Sequence, residues 1–94
     1  MEENKIIEYL DSKFQSWHDR DGRYKKWTMH SWIYYGADYG LELIYRDNKW
    51  TIRQIIDSGY VSGKDIMRAY TWEDIEPLVD SLAPTNKEYK TDRK

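Results

Sequence analysis

Apolar side chains recur along this chain first at steps of three and four, then at steps of two. Ile7, Leu10, Phe14 and Trp17, with Ile6 widening the stripe, mark one face of an amphipathic helix. Glu2, Glu3 and Glu8 lie near its start, where the helix dipole favours negative charge. Asp, Arg, Asp and Gly at positions 19–22 predict where the helix fails. From Trp27 the period is two. Residues 27–35 are rich in β-formers, and strict alternation puts Trp27, Met29, Ile33 and Tyr35 on one face. Thr28, His30, Trp32 and Tyr34 fall on the other.

Gly36, Ala37 and Asp38 break that run. A second strand then carries Tyr39, Leu41, Leu43 and Tyr45 on one face, with Glu42 and Arg46 on the other. Asp47-Asn48 suits a two-residue hairpin turn, since both residues tolerate a positive φ. The third strand sets Trp50, Ile52, Gln54 and Ile56 against Thr51, Arg53 and Ile55. After breaks at Asp57-Ser58-Gly59 and Ser62-Gly63, residues 64–70 alternate and favour a fourth strand over a helical turn. Thr71, with Asp74 three residues on, signals a closing helix with the stripe Trp72, Ile75, Leu78, Val79 and Leu82. Pro77 sits too deep for a Thr71 cap, so either the first turn is irregular or Asp74 is the cap. Pro84 ends the helix.

This order predicts an α+β domain over residues 1–84. It would be an antiparallel meander of three to four strands, with an N-terminal and a C-terminal helix packed on one face. The opposite face stays open to solvent or to a partner. Residues 85–94 read as a flexible charged tail. At 94 residues the core is thin, and five Trp and nine Tyr are more than it can hide. Several aromatics are therefore expected at the surface.

Charge and composition narrow the function. The net charge of −2 gives no overall basic footprint for nucleic acid. With no cysteine there is neither a disulfide framework nor a thiolate metal site. No apolar run approaches a membrane span and no apolar leader is visible, so a cytoplasmic location is expected. The two histidines have the bland readings of a solvated helix end (His18, beside Asp19 and Asp21) and a structural strand position (His30). Asp19-Arg20-Asp21-Gly22 lacks the remaining ligands of a calcium loop, and no phosphate loop or nucleophile–base set is visible. Neither a catalytic residue, a metal ligand nor a cofactor is expected.

Two features remain. Residues 71–83 hold Glu73, Asp74, Glu76 and Asp80 with no Lys or Arg, a local charge of −4. This is a solvated helix face or, on the sharper reading, a surface that docks on a basic partner. The aromatic strand offers Trp32, Tyr34 and Tyr35, with His30, as an exposed patch on the open sheet face. Tyr and Trp are favoured anchors at interfaces. The same aromatics, with Arg23, Lys25, Lys26, Arg46, Lys49 and Arg53, also suit stacking on single-stranded nucleic acid, a reading ranked second.

The layout resembles small cytoplasmic immunity proteins of bacterial toxin systems. Three features carry the resemblance: a helix ending at Trp17, a hairpin from Leu41 through Asp47-Asn48 to Ile56, and the closing segment Tyr70-Thr71-Trp72-Glu73-Asp74-Ile75. It implies a non-enzymatic inhibitor that binds a cognate toxin, such as a basic nuclease, stoichiometrically. Phage-encoded inhibitors of host defence have similar size and chemistry. Partner contacts are expected at Trp32, Tyr34, Tyr35 and His30, and at Glu73, Asp74 and Glu76. A homodimer through the open face is a further outcome.

Overall fold

The computed structural model describes residues 2–59, 61–69 and 71–86. A helix, α1 (Glu3–Lys13), leads into five strands: β1 (Gln15–His18), β2 (Tyr24–Tyr34), β3 (Ala37–Arg46), β4 (Lys49–Asp57) and β5 (Val61–Ala69). A 3-10 turn (Trp72–Asp74) and a short helix, α2 (Glu76–Ser81), close the fold. The strands form one antiparallel meander in the order β1-β2-β3-β4-β5. The α+β class and the meander are as the sequence predicts, but the sheet has five strands rather than three to four.

The additional strand is β1. Alternation at helical steps predicts a helix reaching Trp17, yet α1 ends at Lys13 and Phe14 is already extended (φ −120°, ψ 151°). Phe14 still fills the core, so the helical stripe is real up to that point. Beyond it, Gln15–His18 gains more from pairing with β2, through the register Gln15↔Thr28 to His18↔Lys25, than from another helical turn. At the other end of the sheet, the strand expected over residues 64–70 starts earlier, at Val61. Tyr70 lies outside the described residues.

The core lies between the sheet and the helices. Ile6, Leu10 and Phe14 meet Trp27 and Met29 of β2, Leu43 of β3, and Trp50 and Ile52 of β4, with Trp72, Ile75 and Val79 from the closing segment. Trp50 is its hub. Its ring stacks on Trp27 (6.1 Å), leans on Tyr45 (4.3 Å) and meets Trp72 (5.5 Å). Burial of each such side chain contributes about 2 kcal/mol.

The closing segment resolves the Pro77 conflict through an irregular first turn. Thr71 donates its hydroxyl to the Asp74 carboxylate (2.8 Å), the chain makes a 3-10 turn, and α2 begins at Glu76 with Pro77 in its first turn. Tyr9 and Lys13 then tie α2 to α1. The Tyr9 hydroxyl donates to Asp80 (2.6 Å) and Lys13 donates to the Val79 carbonyl (2.8 Å). Burial and the adjacent Asp80 carboxylate push the Tyr9 phenol up to about 12. Thr85 and Asn86, expected in the tail, are held instead: both backbone N–H groups donate to the Lys13 carbonyl. The rest of that tail, residues 87–94, lies outside the described residues.

One polar contact anchors the largest fully buried ring. Asp11 Oδ1 accepts from the Trp27 indole N–H (2.8 Å) and pairs with His18 Nε2 (3.0 Å). Trp27 is fully buried, so removing that acceptor leaves an indole N–H with no partner. Asp11→Ala is expected to lower the unfolding free energy by about 1–3 kcal/mol, read from urea titration of tryptophan fluorescence. A change below about 0.5 kcal/mol would show that this bond is replaced by water.

Candidate functional site

Strand pairing assigns every sheet residue to a face, because residues directly opposite in register point the same way. The face away from the core is built from transverse rows. One reads Trp17–Lys26–Ile44–Thr51–Arg68 across all five strands, and the next reads Gln15–Thr28–Glu42–Arg53–Asp65. None of these residues belongs to the core cluster that the helices cover. The face is shaped into a depression of about 920 Å³, lined by residues including Trp17, Tyr24, Lys26, Glu42 and Arg46. A smaller one of about 250 Å³ is bounded by Arg53, Asp65 and Arg68.

Several of its charges are matched within the molecule. Lys26 pairs with Glu42 (3.7 Å), Arg46 with Asp47 (3.7 Å), and Arg53 and Arg68 both with Asp65 (2.8 and 3.0 Å). Hydrogen bonds from Arg53 and Arg68 hold the Asp65 carboxyl below its ordinary range. Gly63 makes room for this network, since a Cβ there would come within 2.9 Å of Arg53 Cδ. Of the six cations set aside for phosphate, Lys25 is on the helix side, paired with His18 and Tyr45, and donates to the Gly22 carbonyl. Lys26, Arg46 and Arg53 are engaged with carboxylates, so a phosphate backbone would have to displace these.

The aromatic strand sits elsewhere than alternation predicts. Thr28 pairs with Glu42 and His30 with Leu41, leaving Met29 as a bulge. That extra residue shifts the phase by one. Leu41 packs against the core, and Tyr39 is two residues from it on the same face. His30, Trp32 and Tyr34, paired with Leu41, Tyr39 and Ala37, therefore lie on the helix side of the sheet and not on the open face. Ile33 moves to the open face. The helices do not extend over this end of the sheet, so the rings cover one another. Trp32 stacks between His30 (5.2 Å) and Tyr39 (5.4 Å), and Tyr34 meets Tyr39 (6.3 Å) and Tyr35 (4.4 Å) edge-on.

The hairpin tip projects beyond this ladder. Ile33 is 73% exposed, Tyr34 58% and Tyr35 91%. Tyr35 and Gly36 form the two-residue turn with φ of 50° and 78°. Asp47 and Asn48 make the matching turn of the next hairpin at 53° and 62°, as the sequence predicts. Glu73, Asp74 and Glu76 lie at the other end of the sheet, beside Trp72 and Trp50. Six residue steps along β3 lead from Tyr39 to Tyr45, the partner of Trp50, which is about 20 Å. The aromatic and acidic residues expected in one interface thus form two separate patches.

Sequence reasoning missed three exposed positions: Trp17, assigned to the helix, and Asp38 and Asp57, which stand directly opposite each other. The last pair was within reach. An Asp47-Asn48 turn fixes the register of its hairpin and places Asp38 against Asp57. Among the described residues no helix is long and apolar enough to cross a membrane, and no group of three or more His, Asp or Glu could hold a metal ion. No protein-family model, curated protein or solved structure matches this chain.

The Asp65 network has a pH signature. A carboxyl held low stabilises the fold above its ordinary value of 3.8, and that contribution is lost as pH falls through the lower folded value. Asp65→Asn should lower the melting temperature at neutral pH, and the gap to wild type should close below pH 3.8. A gap that persists undiminished in acid would assign the effect to packing instead of charge.

Proposed function

We propose that this chain is a non-enzymatic inhibitor of immunity type, which neutralises a toxin or effector protein by stoichiometric binding through the tip of the β2–β3 hairpin. The observation that carries this reading is Tyr35. A bulky residue at positive φ is uncommon, and such strain costs about 1–3 kcal/mol. Asn or Gly would fit this turn without that cost, as Asp47 and Asn48 do in the neighbouring turn. Instead the turn holds up a tyrosine that is almost wholly exposed, directly after the exposed Ile33 and Tyr34. Exposed apolar and aromatic side chains grouped at a hairpin end are the composition of an interface anchor that enters a cleft.

The stacked rings behind the tip support it. Trp32, Tyr39 and His30 form a stiff base, so ordering the tip on a partner costs little conformational entropy. The open sheet face supports a nucleic-acid reading less well, because its arginines and Lys26 are held by carboxylates. Glu73, Asp74 and Glu76 enter this reading as a source of long-range attraction for a basic partner rather than as contacts of the tip.

The test separates binding from folding. Tyr35→Asn relieves the turn strain while losing the Tyr34 ring contact, about 0.5–1.5 kcal/mol. The variant should therefore melt no lower than wild type. Its affinity for the partner identified by co-purification with the wild-type chain should fall by about tenfold or more, as for an interface anchor. Undiminished affinity would remove the tip from the interface. Recovery of a homodimer or of nucleic acid in place of a protein would overturn the inhibitor reading.

A further inference from the structure

The row nearest the tip on the open face reads Ile33–Asp38–Asp57–Val61, from β2 to β5. It spans about 14 Å at the usual strand spacing. All four side chains are exposed, Ile33 at 73% and Val61 at 65%. Like charges directly opposite on neighbouring strands repel. Elsewhere on this face carboxylates meet cations: Glu42 meets Lys26, and Asp65 meets Arg53 and Arg68. Among the described residues Asp38 and Asp57 have no ion-pair partner. The contact made by their carboxylates is one accepted by Asp57 from the Gly59 N–H (3.4 Å). The apolar tip thus has beside it two negative charges with no ion-pair partner among the described residues, and an aliphatic side chain on either side of them.

Resting on the protein-binding reading above, we propose that the surface seated on this tip is basic, and that an arginine or lysine of the partner is taken between Asp38 and Asp57. The charge complementarity is local. A cation placed there replaces a carboxylate repulsion with two charge-assisted contacts. The long aliphatic stem of arginine or lysine packs on Ile33 or Val61 while its head reaches the carboxylates. Tyr34 and Tyr35 supply the apolar anchor beside it. With two carboxylates directly opposite in register and no cation paired to either among the described residues, the pair gains from a cationic partner and disfavours an acidic one.

The probe is a phage-displayed library of genomic fragments from the source organism, panned at low salt on the intact wild-type chain and counter-selected on Tyr35→Asn. Fragments that pass are purified and titrated against wild type, against Asp38→Asn/Asp57→Asn, and against Glu2→Gln/Glu8→Gln, which removes the same charge from the exposed start of the first helix. The expected result is a basic fragment whose affinity falls at least about tenfold for Asp38→Asn/Asp57→Asn, the weak end for a close charge pair across an interface. Its salt dependence should flatten with that variant, and the first-helix variant should change affinity less. The Asp38→Asn/Asp57→Asn protein should also melt no lower than wild type, which excludes misfolding as the cause. A fragment lost on Tyr35→Asn but bound equally by both charge variants would overturn this inference and leave the protein-binding reading standing. If no fragment distinguishes wild type from Tyr35→Asn, both fall.

Discussion

A single extra residue in β2, Met29, sets the direction of every side chain beyond it. In a regular ladder a strand that buries Trp27 and Met29 would turn His30, Trp32 and Tyr34 to the open face. The bulge puts Met29 and His30 together opposite Leu41, so Met29 still reaches the core while the following aromatics stay on the helix side. There they extend the core's own face past the edge of the helices. Three rings of that extension stack on one another, and the hairpin tip carrying Ile33, Tyr34 and Tyr35 stands on them. The face on which each side chain behind the tip lies follows from one unpaired residue.

The two faces differ sharply. The core side gathers Trp27, Met29, Leu43, Trp50 and Ile52 under the helices, with Trp50 in contact with three other aromatic rings. The open side carries alternating charges in transverse rows, closed by Lys26–Glu42 and by Asp65 between two arginines. A sheet face held by cross-strand ion pairs can remain in water without an apolar cover. Where that pairing stops, at Asp38 and Asp57, the exposed aliphatics and the tip begin.

Much of this was legible in the residues. Period-two alternation in β3 and β4 assigned both faces correctly, because a hairpin with an Asp47-Asn48 turn leaves no freedom of register. The helical stripe identified Ile6, Leu10 and Phe14, and it failed after Phe14 because pairing with β2 is a tertiary gain that local periodicity does not contain. Nothing in residues 27–35 signals a bulge. Its cause is a register set from both sides, by the Tyr35-Gly36 turn at one end and by Trp27 packing against Leu43 at the other. These two registers differ by one residue, and Met29 takes up the difference. The aromatic residues were therefore correctly grouped but placed on the wrong face, and the acidic residues Glu73, Asp74 and Glu76 were joined to them although they lie at the far end of the sheet.

The most direct test of this account is the cross-strand pattern of nuclear Overhauser effects between β2 and β3 in solution. The account predicts contacts of the His30 backbone with Leu41 and of the Trp32 indole with the Tyr39 ring, with Met29 showing no backbone partner of its own. A regular ladder, with Met29 opposite Leu41, His30 opposite Gly40 and Trp32 opposite Asp38, would contradict it. That result would return the aromatic strand to the open face and remove the base on which the tip stands.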